Sequence, residues 1–364
     1  ARRARGWRPH GLAGRRARQA EAMADQRQSV IIQLEDGWEH EIKARAIEPL
    51  TNMLDEGFRR ELFNNKEYVR IYTTCYNMCT QRSPFNWSEQ LYQRHGETIA
   101  RYLEATVLPA LREKHDQFLL EELVRRWNNH NLMNKWMKKF FMYLDRYYVK
   151  YHHLPTLEDA GMRNFKNLIF EGTKRDVINA VLDLVDQERE QMQIDQVLIK
   201  KCVELFEAMG MGNLDAYRSD FQEPLCASTR EYYARKAEEW IQSDSTSAYL
   251  EKAERALEAE RLRVSQYLHP ETEADLLRVV EEELLERREM ELLEKENSGC
   301  RYLLANDKVE DLSRMYRLFA RLPDGQGLQP IADIVRQHIL AMGNEKIDER
   351  VVRIEGGDKE TNQD

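Results

Sequence analysis

At 364 residues the chain is long enough to bury a sizeable core, and its charged fraction of 33%, with few glycines and prolines, is that of a helical protein. Seven arginines against Glu21 and Asp25 give residues 1–26 a charge of +5, leaving −14 for the remainder of a chain whose formal charge is −9; so acidic a body argues against binding DNA or RNA through their phosphates. No window approaches 18 consecutive apolar residues, which excludes a membrane-spanning helix and leaves no membrane partner to expect.

Residues 1–34 read as a basic, disordered extension. The chain starts at Ala1, and Met23-Ala24-Asp25-Gln26 reads as a natural start, so residues 1–22 are expected to be an upstream extension rather than an organelle-targeting segment. The five cysteines, Cys75, Cys79, Cys202, Cys226 and Cys300, form an odd and scattered set. They predict reduced thiols, no disulfide, and residence in cytoplasm and nucleus.

Two segments carry more apolar surface than one core can absorb. At about 100° per residue, Tyr68, Val69, Ile71, Tyr72, Cys75, Tyr76, Met78 and Cys79 cover roughly half a helical wheel, where an ordinary surface helix needs a narrower stripe. Trp136, Phe140, Phe141, Tyr143, Leu144, Tyr147, Tyr148 and Tyr151 make a second broad arc, with Asp145 and Arg146 outside it. Tyrosine joins a large apolar face to a hydroxyl suited to an interface rim, so a docking face stands beside the plainer reading of two central bundle helices.

Helical patterns break at Arg82-Ser83-Pro84, His130-Asn131, His153-Leu154-Pro155, Gly210-Met211-Gly212, Ser243-Asp244-Ser245, His269-Pro270, Asn297-Ser298-Gly299 and Pro323-Asp324-Gly325. Ser228-Thr229-Arg230-Glu231 fits a capping box, and Pro155-Thr156-Leu157-Glu158-Asp159 puts acids into a first turn. Trp127 and Trp136, nine residues apart, are echoed 113 residues on by Trp240 and Tyr249, each pair expected to end one helix and open the next. From Glu345 to Asp364 the periodicity fades and disorder is expected.

Chemistry is hard to find. Gly210-Met211-Gly212 lacks the third glycine of a dinucleotide loop, and there is neither a CxxC nor an HExxH, so no metal or cofactor is expected. Cys75 and Cys79 are assigned to packing, His152-His153 to a polar helix end, and the sequon Asn86-Trp87-Ser88 to chance. Runs such as Glu251-Lys252-Ala253-Glu254-Arg255 interleave charges at the spacing of solvent-facing ion pairs, so no catalytic residue is named.

Several stretches resemble the amino-terminal half of a cullin, in the family's order. They include Ile71-Tyr72-Thr73-Thr74-Cys75-Tyr76-Asn77-Met78-Cys79-Thr80, Thr106-Val107-Leu108-Pro109-Ala110-Leu111-Arg112, Tyr143-Leu144-Asp145-Arg146-Tyr147, Arg261-Leu262-Arg263-Val264-Ser265-Gln266-Tyr267-Leu268-His269 and Asp307-Lys308-Val309-Glu310-Asp311-Leu312-Ser313-Arg314-Met315-Tyr316. The likeness covers roughly residues 35–343, and its wording is most similar to the plant and green-algal cullin-1 branch.

The resemblance implies an all-α, elongated stalk of five-helix cullin repeats at 35–154, 155–269 and 270–344, the third incomplete, with a disordered tail at 345–364. It implies a non-catalytic scaffold of an SCF-type ubiquitin ligase, in which a Skp-type adaptor carrying an F-box receptor docks on the second and fifth helices of the first repeat. By position Tyr68, Val69, Tyr72 and Tyr76 match the contacts of the second helix, and Tyr143, Arg146 and Tyr147 those of the fifth. A full cullin goes on to a domain that binds a RING subunit and carries a modified lysine; this chain ends first. The alternatives are a BTB-type adaptor in place of the Skp type, or a helical tethering rod.

Overall fold

The computed structural model describes residues 31–56 and 63–360. Every regular element among them is helical, as expected. In chain order the helices are α1 (36–56), α2 (Asn65–Thr80), α3 (88–112), α4 (Asp116–Phe140), α5 (142–152), α6 (157–189), α7 (Gln196–Met209), α8 (215–243), α9 (Thr246–Tyr267), α10 (Thr272–Leu284), α11 (Glu289–Glu294), α12 (Cys300–Ala305), α13 (Val309–Phe319) and α14 (Gln329–Glu360). The described residues divide into two compact units, one within 31–108 and 128–169, the other within 109–127 and 170–360.

In the first unit, Ile42 and Leu50 of α1, Ile71 and Met78 of α2, Leu91 and Ile99 of α3, and Phe140, Phe141 and Leu144 around the α4–α5 junction fill a common core. Gly37 lets α1 approach α2 closely, because a Cβ there would sit 2.5 Å from the Met78 Sδ. Two caps fix where α6 begins: Thr156 Oγ1 accepts from the Asp159 amide at 3.1 Å, and Asp145 Oδ1 accepts from the Leu157 amide at 2.9 Å. Burial raises the Asp145 carboxyl above its ordinary value, and that amide opposes the rise.

The second unit is knit by α8, α9, α10, α11, α12 and α13 around Tyr249, Leu250, Leu284, Leu292 and Phe319. It also encloses a charge network. Glu260 Oε1 accepts from Arg189 Nε at 2.8 Å, Arg263 at 2.8 Å and the Tyr233 hydroxyl at 2.7 Å. Arg189 further donates to Asp186 and Thr229, and Arg263 to Glu188.

Several expectations are corrected. The break at His130-Asn131 is absent: α4 runs through it, because Asn129 Nδ2 donates to the Leu54 carbonyl at 2.8 Å and the His130 ring packs on Phe165 at 4.8 Å. Trp127 and Trp136 therefore lie inside one helix, so the matched pairs do not mark equivalent boundaries. Ser228-Thr229-Arg230-Glu231 caps nothing, since it lies within Glu223–Ser243, where Thr229 Oγ1 donates back to the Leu225 carbonyl at 2.7 Å.

Residues 31–34 do not belong to a disordered extension. The Ile32 carbonyl accepts from Gln81 Nε2 at 3.0 Å and Trp87 Nε1 at 2.9 Å. Residues 1–30 and 361–364, including the expected start at Met23, lie outside the described residues. From Glu345 onward the expected disorder gives way to a continuation of α14 to Glu360; interleaved charges such as Lys346 and Glu349, 3.8 Å apart, suit a solvated helix, and Ile347, Val351, Val352 and Ile354 stay exposed on it.

A candidate docking surface

α2 opens on a capping box. Asn64 accepts from the Lys66 and Glu67 amides at 3.0 Å each, and Glu67 Oε2 accepts from the Asn64 amide at 3.0 Å. With the start fixed, the helical repeat sends Ile71, Cys75, Met78 and Cys79 inward. The remaining apolar residues of the arc stay outside: Val69 is 55% exposed, Tyr76 41%, and Tyr68 and Tyr72 are half-buried. On the second segment Phe140, Phe141 and Leu144 are buried, Tyr143 is half-buried, and Arg146 and Tyr147 are exposed. None of the seven side chains singled out from the sequence is in the core.

The structure brings five of them into one ladder. Ring centroids step from Tyr68 to Tyr72 at 6.3 Å, Tyr72 to Tyr76 at 6.4 Å, across the helices from Tyr76 to Tyr143 at 5.1 Å edge to face, and on to Tyr147 at 4.6 Å. Among the described residues no hydrogen bond engages these five hydroxyls, so each is free for a partner. Burial, then the neighbouring Cys79, Tyr76 and Tyr147, raises the Tyr143 phenol above its ordinary value, so it stays a neutral donor at physiological pH. At the rim Arg70 forks onto Glu41, Nε to Oε2 at 2.8 Å and NH2 to Oε1 at 2.7 Å, and Arg45 shares the same carboxylate at 3.4 Å.

Behind the ladder the thiols are packing groups. Burial pushes the Cys79 thiol up to about 11 and the Cys75 thiol well above its ordinary value. Asn86, the acceptor of the sequon, is committed to structure, donating to the Cys79 carbonyl at 2.6 Å. Among the described residues no cluster of three or more histidine, cysteine or acidic side chains is placed to hold a metal ion.

Choosing site residues from the sequence missed the continuation of the rings toward α4: Tyr68 meets Phe140 at 6.4 Å, Phe140 stacks on Trp136 at 5.7 Å, and Phe63 lies 5.0 Å from both. Trp136 and Phe140 stood in the aromatic arc and could have been found there; Phe63, just before α2, gives no periodic signal. Tyr151, in the same arc, is 80% exposed and meets His152 edge to face at 5.0 Å.

Among the described residues every regular element is a helix, and a row of tyrosines stands outside the core on two of them. The sequence matches the Cullin alpha solenoid domain over residues 47–363, and the chain belongs to the cullin family, the scaffolds of ubiquitin ligases. It is 45% identical over 312 residues to Cullin-1 of Oryza sativa subsp. japonica, covering 86% of this chain and 41% of that protein. It is 40% identical over 334 residues to Putative cullin-like protein 1 of Arabidopsis thaliana, covering 92% of this chain and 45% of that protein. To Putative cullin-like protein 2 of the same plant it is 40% identical over 334 residues, covering 86% of that protein. The chain thus spans less than half the length of the first two.

Proposed function

We propose that this chain is a non-catalytic scaffold of an SCF-type ubiquitin ligase, working in cytoplasm and nucleus, and that its tyrosine ladder seats a Skp-type adaptor carrying an F-box receptor. The observation that carries this is the ladder itself: five aromatic rings in an unbroken row on α2 and α5, outside a core already filled by the inner faces of the same helices. Such residues are costly to leave in water and give large contact area at low entropy cost, which suits them to be the anchors of an interface. Tyr68, Val69, Tyr72 and Tyr76 fill sockets from one helix, Tyr143 and Tyr147 from the other, and Arg146 supplies a rim charge. Residues 35–154, 155–269 and 270–344 are the proposed repeats, and a RING subunit joins only a longer form.

Binding to a purified Skp-type adaptor in complex with its F-box segment tests the reading. The wild type should bind, and the Tyr68→Ala, Tyr143→Ala pair should lose more than about 2 kcal/mol while keeping its helical circular dichroism. A folded wild type that does not bind removes the assignment.

A further inference from the structure

On α4 and α6, one ring away from Trp136, lies a cleft of about 400 Å³ lined by Asn131, Asn134, Lys135, Lys138, Lys139, Glu158 and Met162. Its floor is set by a close helix crossing: a Cβ on Gly161 would stand 2.2 Å from Asn134 Oδ1, so the glycine lets α6 settle onto α4. Three lysines face one carboxylate. Lys138 is paired with Glu158 at 2.5 Å. Among the described residues no carboxylate lies within ion-pair distance of Lys135 or Lys139.

The lysine strip borders the rings directly, because Lys139 Nζ stands 4.6 Å from the Trp136 ring centroid, and Trp136 leads through Phe140 to Tyr68. Lys135 and Lys139 thus put two uncompensated cations beside Trp136 on a chain that is otherwise acidic.

We propose that the partner seated on the ladder lays an acidic segment into this cleft, with Lys135 and Lys139 facing its carboxylates and Trp136 and Met162 facing its apolar stems. This rests on the docking reading above and adds a direction to it: the acidic part of the bound adaptor–receptor pair lies at the Trp136 end. Charges of this kind act on encounter rate and orientation, and their effect is screened by salt.

The experiment measures binding of the full chain to the same adaptor–F-box complex across a salt series. The Lys135→Glu, Lys139→Glu pair should weaken binding about tenfold at low salt and flatten its salt dependence, with the difference closing near 1 M, where the Debye length is about 3 Å. Lys135→Gln, Lys139→Gln should fall between, and Lys200→Glu, Lys201→Glu, exposed on α7, should bind as the wild type does. If the charge-reversed pair binds like wild type while Tyr72→Ala, Tyr147→Ala does not bind, the acidic-segment proposal is overturned and the ladder stands. If the wild type itself does not bind, both fall.

Discussion

Replacing Glu260 by alanine should be among the most damaging single changes in the second unit. Its side chain is 1% exposed and its Oε1 is the common acceptor of Arg189, Arg263 and the Tyr233 hydroxyl. Burial alone would raise this carboxyl; the two guanidiniums outweigh it and hold it below the ordinary value. Without it, Arg189, also 1% exposed, keeps only Asp186 and Thr229, and the Tyr233 hydroxyl loses its acceptor. Stranding one partner of a buried pair costs about 3–5 kcal/mol. At roughly 2–4 °C per kcal/mol for a unit of this size, the melting temperature should fall by about 6–20 °C. Replacing the pair together, Arg189→Met with Glu260→Leu, removes both desolvation costs and should be clearly more stable than the single variant, the remaining deficit being the Tyr233 hydroxyl left without its acceptor. Urea unfolding followed by circular dichroism measures both variants. A single-variant loss below about 1 kcal/mol, or a double variant as unstable as the single, would refute the claim that the charges are cut off from water.

Acid should loosen the first unit. Burial depresses the His95 and His130 imidazoles to about 4 from an ordinary 6.5, so each stabilises the fold fully above pH 6.5 and that stability is lost as pH falls through 4. The loss is about 2 kcal/mol per imidazole at pH 5; urea midpoints that match at pH 7.5 and pH 5, or a His95→Leu variant with an unchanged pH slope, would contradict it. Gly299→Ala should cost more than about 2 kcal/mol, because its Cβ would meet the Leu293 and Lys295 carbonyl oxygens at 2.5 and 2.7 Å, which belong to the backbone and cannot swing away; thermal melts beside Gly96→Ala, where nothing lies within 4 Å, provide the comparison. A thiol reagent at pH 7.5 should label the native chain very slowly and all five cysteines in denaturant, since Cys75, Cys79, Cys202 and Cys300 are buried and burial pushes the half-buried Cys226 up to about 11. Rapid labelling of Cys75 would place that helix face in solvent.

What the sequence made legible follows from what periodicity can carry. The over-wide arcs on α2 and α5 located the candidate surface, because a helix fixes which residues share a face, and Thr156 declared its cap through the acids after it. Polar residues misled wherever their partners were distant in sequence. His130-Asn131 looks like a helix stop, yet the neighbouring Asn129 amide donates to a carbonyl 75 residues away, and Ser228-Thr229-Arg230-Glu231 resembles a capping box until Arg189 and the preceding turn engage the Thr229 hydroxyl. The order of the rings was out of reach too, since the step from Tyr76 to Tyr143 exists only once α2 and α5 lie side by side.

That ring-to-ring contact has a kinetic consequence. Because each tyrosine of the ladder already rests on its neighbour, with spacings of 4.6 to 6.4 Å, its rotamer is largely chosen before any partner arrives. Immobilising a free side chain at an interface costs about 0.5–1.5 kcal/mol, and here much of that cost falls on folding instead of association. A partner should therefore meet a nearly rigid template, form its complex without a slow rearranging phase, and owe its strength mainly to a long residence time.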